Sequence, residues 1–226
     1  MPSVLITGAN RGIGLAMAAV YAARGDSVIG TARDPSGASA LTALGRNVEC
    51  LPLDVTDEAS LAALARTLSG RPIDILIANS GVLAARGGIA DPENTAANWA
   101  RVLATNVTGP FLTVRALLPN LAAAKGRIAI ISSRVGSSIR SGPERYVYRA
   151  SKAAATNLAL NLSLELKPMG VAIAAYHPGW VRTDMGGPGG DIDADVSAAN
   201  LVRQIDVLSL ATTGAFLNHD GTTIPY

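Results

Sequence analysis

Tyr148 and Lys152 stand four residues apart in Tyr148-Arg149-Ala150-Ser151-Lys152, and on a helix that interval places a phenol and an ammonium on one face. Such a pair can move a proton to or from the oxygen of an alcohol or carbonyl. A phenol with its ordinary pKa of about 10 is a poor base near neutrality, so the chemistry calls for a neighbouring positive charge. One charge about 4 Å away, at an effective dielectric near 20, contributes roughly 4 kcal/mol, or about three pKa units. Lys152 is therefore expected to bring Tyr148 into the working range. Of the five tyrosines only Tyr148 has a lysine four residues on, and Tyr146 has Ala150 there. The plainer reading, an exposed Tyr/Lys packing pair, has to be weighed against what the rest of the chain carries.

A second candidate lies near the N-terminus, in Thr7-Gly8-Ala9-Asn10-Arg11-Gly12-Ile13-Gly14. An apolar run precedes it and an Ala-rich helical stretch follows. In that order, Gly8, Gly12 and Gly14 let the backbone turn sharply and approach a pyrophosphate, while free N–H groups around Asn10 to Ile13 and the positive end of the helix attract its charge. The spacing departs from G-x-G-x-x-G, and Gly14 is followed by Leu15, which excludes a Walker phosphate loop. An ordinary glycine-rich connection is the alternative. Asp34 lies 20 residues after Gly14, where an acid could bond the ribose of NAD(H). Arg33 beside it, with Arg11 in the glycine turn, could instead grip a 2′-phosphate through charge-assisted bonds, which favours NADP(H) over NAD(H). A solvated strand-end arginine is the competing reading of Arg33.

Positioning these groups requires repeated strand–helix units. Apolar runs are expected as strands at Ser3 to Thr7, Ser27 to Ala32, Val48 to Leu53, Ile73 to Ala78, Arg127 to Ser132, Val171 to Tyr176 and Ala215 to Leu217. Helical patterns fall at Gly12 to Arg24, Ser36 to Leu44, Asp57 to Leu68, Ala96 to Ala124 with a break near Asn106, Tyr148 to Leu166 and Asp195 to Leu208. Ile75-Leu76-Ile77-Ala78 and Ile128-Ala129-Ile130-Ile131 read as strands buried on both faces. This is an α/β pattern with a doubly wound, seven-stranded parallel sheet and helices on both faces. Residues 1–226 form one domain, and the glycine-rich stretch Gly186 to Gly190 marks a flexible substrate loop over 184–196 rather than a linker.

Composition narrows the function further. Hydrophobic residues make up 49% and charged residues 16% of the 226, enough for a large core and against disorder. The net charge of +2 is spread along the chain, so nucleic acid is not an expected partner. Cys50 is the only cysteine, which excludes an intrachain disulfide and a cysteine metal cluster; no metal is expected. The chain enters Val4-Leu5-Ile6 without a basic leader and has no stretch near the roughly 20 apolar residues of a membrane span, so a soluble cytoplasmic protein with no membrane partner is expected.

Thr-Gly-x-x-x-Gly-x-Gly after an N-terminal strand, followed in order by Asn106, Ser133, Tyr148 and Lys152, resembles the short-chain dehydrogenase/reductase family over nearly the whole chain. Ser133-Arg134-Val135-Gly136-Ser137 and the ending Asp220 to Pro225 look like its small carbonyl-reductase-like branch. The resemblance implies a Rossmann fold and hydride transfer between NADP(H) and a carbonyl or secondary alcohol, with Tyr148 as general acid/base. Ser133 would bond the substrate oxygen, with Ser132 as its rival. Asn106 would kink a helix and hold a water leading from Lys152, and Lys152 would also bond the nicotinamide ribose. Asp54 and the Val55 backbone would meet the adenine, although a strand-end cap is an equally natural role for Asp54. Asn79 and Gly81 fall in Ala78-Asn79-Ser80-Gly81, where the family usually has Asn-Asn-Ala-Gly. His177-Pro178-Gly179-Trp180-Val181-Arg182-Thr183 matches the segment in which Pro178, Gly179 and Val181 orient the carboxamide and Thr183 contacts it or the pyrophosphate; His177 reads as structural. The 15 positions from Ser133 to Tyr148 exceed the family's interval, implying an insertion around Arg140 to Glu144 at the pocket mouth. Leu83, Val135, Arg140, Trp180 and the stretch Met185 to Val196 would form the pocket walls, and the substrate would be a modest, partly apolar carbonyl compound. A homodimer or homotetramer packed through the long helices around the fifth strand is the family's precedent. The alternative is an NADPH-binding regulatory or signalling protein with little turnover, whose mark would be a broken tetrad. An epimerase or dehydratase relative would need a longer chain.

Overall fold

The computed structural model describes all 226 residues. Seven strands, β1 (Ser3–Ile6), β2 (Ser27–Ala32), β3 (Val48–Pro52), β4 (Ile75–Ala78), β5 (Arg127–Ile131), β6 (Ala172–His177) and β7 (Phe216–Asn218), form one sheet in the order β3-β2-β1-β4-β5-β6-β7. Every neighbouring pair is parallel. The chain winds outward from β1 to β3, then crosses back to β4 and winds the other way. Between β1 and β4 the connections diverge, and a crevice opens there at the strands' carboxyl ends.

Strand alternation divides the core into two layers. Leu5, Leu76, Ile128, Ile130 and Ile173 point to one face and pack with residues of α3 (Glu58–Thr67), α5 (Gly109–Ala116), α6 (Leu118–Ala124) and α7 (Tyr146–Leu166). Val4, Ile6, Ile75, Ile77, Ala129 and Tyr176 point to the other, against α1 (Gly12–Ala23), α2 (Ser39–Thr42) and α8 (Ala194–Asp206). Both faces are covered, which is why these strands carry no polar alternation.

Three segments depart from the sequence pattern. The helix expected over Ser36 to Leu44 is a 3-10 turn at Pro35–Gly37 followed by the single turn of α2, because Asp34 caps Ser36 and Ala38 leaves helical geometry. The helix expected over Ala96 to Ala124 divides into α4 (Ala96–Leu103), a π turn at Ala104–Thr108, α5 and α6. The break is at Asn106 as expected, but it is one widened turn and not an interruption. The strand expected from Ile73 begins at Ile75, since the Ile73 amide donates to the Asn120 carbonyl outside the sheet. No helix is long and apolar enough to cross a membrane.

Candidate active site

The glycine turn sits at the mouth of the crevice. Gly12 holds a φ of +56°, which only glycine adopts without strain. A Cβ on Gly14 would lie 2.4 Å from the Gly8 carbonyl oxygen and 2.5 Å from Asn79 Nδ2, so α1 can start this close to β1 only with glycine there. Arg11 is the N-cap, with no side-chain cap and no acid in the first turn, leaving the positive end of the helix, including Ile13 and half-buried Asn10 before it, open to an anion. Thr7 Oγ1 accepts from the amides of Asn79 and Ser80 at 3.0 Å each, and Asn79 Nδ2 donates to the carbonyls of Thr7 and Gly8 at 2.9 and 3.1 Å. Asn79 is thus a strut between β4 and the glycine turn. Ala78, where the family's first asparagine is missing, is simply buried.

At the crevice's far corner the two candidate acids are already engaged. Asp34 Oδ1 accepts from the Ser36 amide and hydroxyl at 2.9 and 2.6 Å, which lowers its pKa and leaves that oxygen committed to the turn. Asp54 Oδ1 does the same with Thr56, at 2.9 and 2.7 Å, so the cap reading of Asp54 describes what its side chain does. The charge of exposed Arg33 reaches Asp54 and adds a smaller lowering. Val55 is buried against the start of α5.

The tetrad is assembled by β5, α7 and the π turn. Ser132 Oγ bonds the Lys152 carbonyl at 2.9 Å and Thr156 Oγ1 at 2.7 Å, riveting β5 to α7. That leaves Ser133, whose hydroxyl accepts from the Val135 amide at 3.4 Å and lies near enough to Tyr148 to lower the phenol's pKa. Lys152 is buried, its Nζ donates to the Ile131 carbonyl at 2.7 Å, and it lies 5.6 Å from the centre of the Tyr148 ring. Asn106 is fixed from three sides: Oδ1 accepts from the Val82 amide at 2.8 Å, and Nδ2 donates to the Val82 carbonyl at 2.9 Å and Ser151 Oγ at 3.0 Å. Ser151 in turn donates to the Tyr148 carbonyl at 2.8 Å. The sequence reading does not single out Ser151, although its place three residues after Tyr148 on the same helix is a usable signal. The Gly81 backbone packs beside this group, since a Cβ there would meet Asn106 Oδ1 at 3.4 Å and Lys152 Nζ at 3.7 Å.

One electrostatic expectation is not met. Although Tyr148 keeps part of its surface open to solvent, burial is the largest influence on its phenol and pushes the pKa up; Ser133 and Arg145 offset that only in part. The neighbouring Lys152 does not outweigh that burial. Its own pKa is brought down to about 8 by burial. The ammonium is held by the Ile131 carbonyl 5.6 Å from the ring centre, and desolvation is the largest influence on both groups.

After β6 the chain crosses back over the glycine turn. The Pro178 carbonyl accepts from Ser197 Oγ at 2.6 Å, Gly179 turns at a φ of +89°, and buried Val181 bridges to Ile192. Thr183 Cγ2 would lie 3.7 Å from a Cβ on Gly12. The loop that follows is pinned at both sides of the crevice: Asp184 pairs with Arg11 at 2.9 Å, and Arg86 donates to the Met185 carbonyl at 2.9 Å. Its base is closed by Arg182, which donates to Asp193 at 2.7 Å and to the Gly190 carbonyl at 2.6 Å. The loop ends at Asp193, because Ala194 to Val196, included in the expected loop, form the first turn of α8.

These residues bring a glycine turn, a phenol, an ammonium and a serine to one end of the sheet. The cradle at Gly8–Gly14 and the open helix end suit the pyrophosphate of a dinucleotide; the first turn of α1 carries no acid, and the one carboxylate beside it, Asp184, is paired with Arg11. The model of the short chain dehydrogenase family matches residues 2–191. Among curated proteins, the C-signal protein of Myxococcus xanthus is 37% identical over 157 residues, covering 69% of this chain and 93% of its own. Among solved structures, a carbonyl reductase from chicken fatty liver with NADPH bound is 35% identical with a TM-score of 0.90, covering 100% of this chain and 99% of its own. The carbonyl reductase Sniffer of D. melanogaster is 28% identical with a TM-score of 0.93 and full coverage of both chains.

Proposed function

This chain belongs to the short-chain dehydrogenase/reductase family, and we propose that it reduces a carbonyl compound to a secondary alcohol with NADP(H), Tyr148 giving the proton. The observation that carries this reading is the convergence of Ser133 and Lys152 on Tyr148 at the carboxyl ends of β5 and β6. When bound, NADP(H) supplies the hydride. The carbonyl carbon accepts it with its two electrons, the C=O π bond opens onto oxygen, and that oxygen takes the proton of the Tyr148 hydroxyl. Ser133 donates to the same oxygen as charge develops on it. A phenol raised by burial stays protonated at neutral pH, which suits a proton donor. Asn106, anchored to Val82 and Ser151, holds the helix around Lys152 and would position water for reprotonation.

The glycine turn would hold the pyrophosphate, and Lys152 the nicotinamide ribose. Gly81 would line the crevice beside Lys152, and Pro178, Gly179, Val181 and Thr183 would face the carboxamide. The commitment of Asp34 to Ser36 and the exposed guanidiniums of Arg11 and Arg33 favour NADP(H) over NAD(H), as does NADPH in the chicken relative. The substrate is a small molecule, and association through α5 and α7 as a homodimer or homotetramer is in keeping with the family.

The likeness to the C-signal protein favours a second reading, a signalling protein that binds NADPH and turns over little. NADPH oxidation with a panel of aldehydes, ketones and quinones, run beside Tyr148→Phe, separates the two. The enzyme reading expects turnover that the variant lowers by at least a hundredfold. Turnover indifferent to the substitution, or none with any carbonyl, overturns it.

A further inference from the structure

The chain between β6 and α8 crosses the carboxyl end of the sheet as a strap. It leaves β6, yet Asp184 pairs at 2.9 Å with Arg11, which follows β1, and the Met185 carbonyl accepts at 2.9 Å from Arg86, which follows β4. Because the sheet runs β1-β4-β5-β6, the strap passes over the ends of β5 and β4, where Ser133 meets Tyr148 and Lys152. Its glycines serve close packing. Trp180 Nε1 donates to the Gly186 carbonyl at 2.8 Å, and the Gly187 amide donates to the Thr183 carbonyl at 2.8 Å. A Cβ on Gly186 would collide with the Val181 carbonyl oxygen, and one on Gly190 would lie 2.6 Å from the Arg182 amide nitrogen. A segment tied to itself in this way shifts as a unit, so the bonds at its edge decide whether it stands open or shut.

Arg86 is aimed at the strap by the loop that follows β4, and this loop runs beside the tetrad. A Cβ on Gly81 would lie 3.7 Å from Lys152 Nζ, and Val82 holds Asn106 through both its amide and its carbonyl. Ala84 and Ala85 are buried with Val102 and Val147, the neighbour of Tyr148. Ala85 then turns at a φ of +49°, in the left-handed region that a residue with a side chain occupies only when it is held there. Glu93 holds it, its Oε2 accepting from the Ala85 amide at 3.0 Å. Beyond Arg86, the Gly87 amide donates to Asp91 Oδ2 at 2.6 Å, and the Gly87 carbonyl accepts at 3.1 Å from the amide of Arg145 at the start of α7. Arg86 is thus an exposed side chain between two fixed points of backbone, and its guanidinium bonds the strap.

We propose that Arg86 is a specificity-determining residue, holding the strap shut over Ser133 and Tyr148 and so limiting the bulk of the carbonyl compound admitted, and that Glu93 is the residue that positions it. The inference rests on the reductase reading and says which substrates that site takes. A charge-assisted hydrogen bond at an exposed edge contributes modestly. A bulky substrate therefore displaces the strap at a penalty in binding, while a small one fits beneath it. Glu93 acts through the turn at Ala85: without its carboxylate that turn relaxes, and Arg86 no longer points across the site.

The test follows NADPH oxidation with aldehydes of increasing bulk, from propanal to para-phenylbenzaldehyde, and reads the ratio of kcat/KM for small over bulky members. The wild type should favour the small ones. Arg86→Ala should lower that preference about five-fold through the KM of the bulky aldehydes, with kcat for propanal kept within about two-fold. Arg86→Lys can still donate to the Met185 carbonyl and Glu93→Gln can still accept from the Ala85 amide, so both should keep most of the preference. Glu93→Ala should match Arg86→Ala, and the two together should do no more than either alone. A wild type without preference, a preference unmoved by Arg86→Ala, or equal losses across the series overturns the inference and leaves the reductase reading standing. Additive effects of the two alanine substitutions overturn the positioning role of Glu93. Absence of Tyr148-dependent reduction of any carbonyl overturns both the inference and the reading beneath it.

Discussion

Neither ring nitrogen of His177 meets a protein partner, and only 5% of the residue is exposed. Burial, followed by the charges of Arg134, His219, Arg140 and Lys152, holds its pKa down to about 3. In the unfolded chain the same imidazole titrates near its ordinary value of about 6.5. Because the folded value is the lower one, the unfolded state binds one more proton throughout the window from about pH 6.5 to about pH 3. Stability is therefore lost as pH falls through that window, and above it this residue's protonation has no effect. Each pH unit inside the window corresponds to about 1.4 kcal/mol, so descending to pH 5 removes about 2 kcal/mol and the whole shift about 5 kcal/mol. The comparison to make is urea unfolding of the wild type and His177→Leu at pH 7 and pH 5. Leucine fills a similar volume, does not titrate and leaves no polar atom unpartnered, so the variant should be at least as stable at pH 7. Between the two pH values the wild type should lose about 2 kcal/mol more than the variant. Equal losses would refute the reasoning, since they would mean that His177 reaches solvent or a partner in both protonation states.

Two further outcomes follow from the crevice. Gly14→Ala places a methyl group about 1 Å inside contact distance of both the Gly8 carbonyl and Asn79 Nδ2, so α1 must retreat from the turn; NADPH affinity should fall at least ten-fold by titration calorimetry with the circular dichroism spectrum kept, and an unchanged Kd would show that the turn does not hold the phosphates. Asp184→Asn removes a carboxylate that competes with a 2′-phosphate for Arg11; the pair is exposed and contributes no more than about 1 kcal/mol, so NADPH should bind up to about five-fold more tightly while NADH binding stays as it was, and equal changes for both would show that Arg11 does not face the phosphate.

The sheet was readable because its strands are buried on both faces. Ile75 to Ala78 and Ile128 to Ile131 cannot alternate with polar residues while helices cover each side, and so they stand out as runs. The ends of elements were less readable, since single hydrogen bonds decide them. The Asp34 carboxylate on Ser36 turns an expected helix into a 3-10 turn, and the Asn120 carbonyl draws Ile73 away from β4. Adjacent serines present the same limit within the site. No local feature distinguishes Ser132 from Ser133. What distinguishes them is that Ser132 reaches Lys152 and Thr156 on a helix twenty residues further along the chain, and this emerges only when β5 and α7 are packed together.

The Tyr148–Lys152 pair shows the same division in its electrostatics. A spacing of four on a helix establishes that two side chains are neighbours, and a Coulomb argument then treats one as the source of field and the other as its object. In the folded protein both are in the same water-poor pocket, and desolvation acts on each before either acts on the other: it raises the phenol and lowers the ammonium to about 8. The Ile131 carbonyl, which no motif announces, accepts a hydrogen bond from the ammonium and holds it 5.6 Å from the centre of the Tyr148 ring. A pocket arranged in this way keeps Tyr148 protonated and Lys152 charged at neutral pH, which is the state needed to donate a proton to a carbonyl oxygen. Oxidation of an alcohol asks for the phenolate, and that requires positive charge beyond what this chain places beside Tyr148. On the proposed reductase reading, protonated Tyr148 beside charged Lys152 is the donor form, and carbonyl reduction should decline as pH rises past about 8, where Lys152 loses its charge; a rate that stays flat to about pH 9.5 would refute that role for the ammonium.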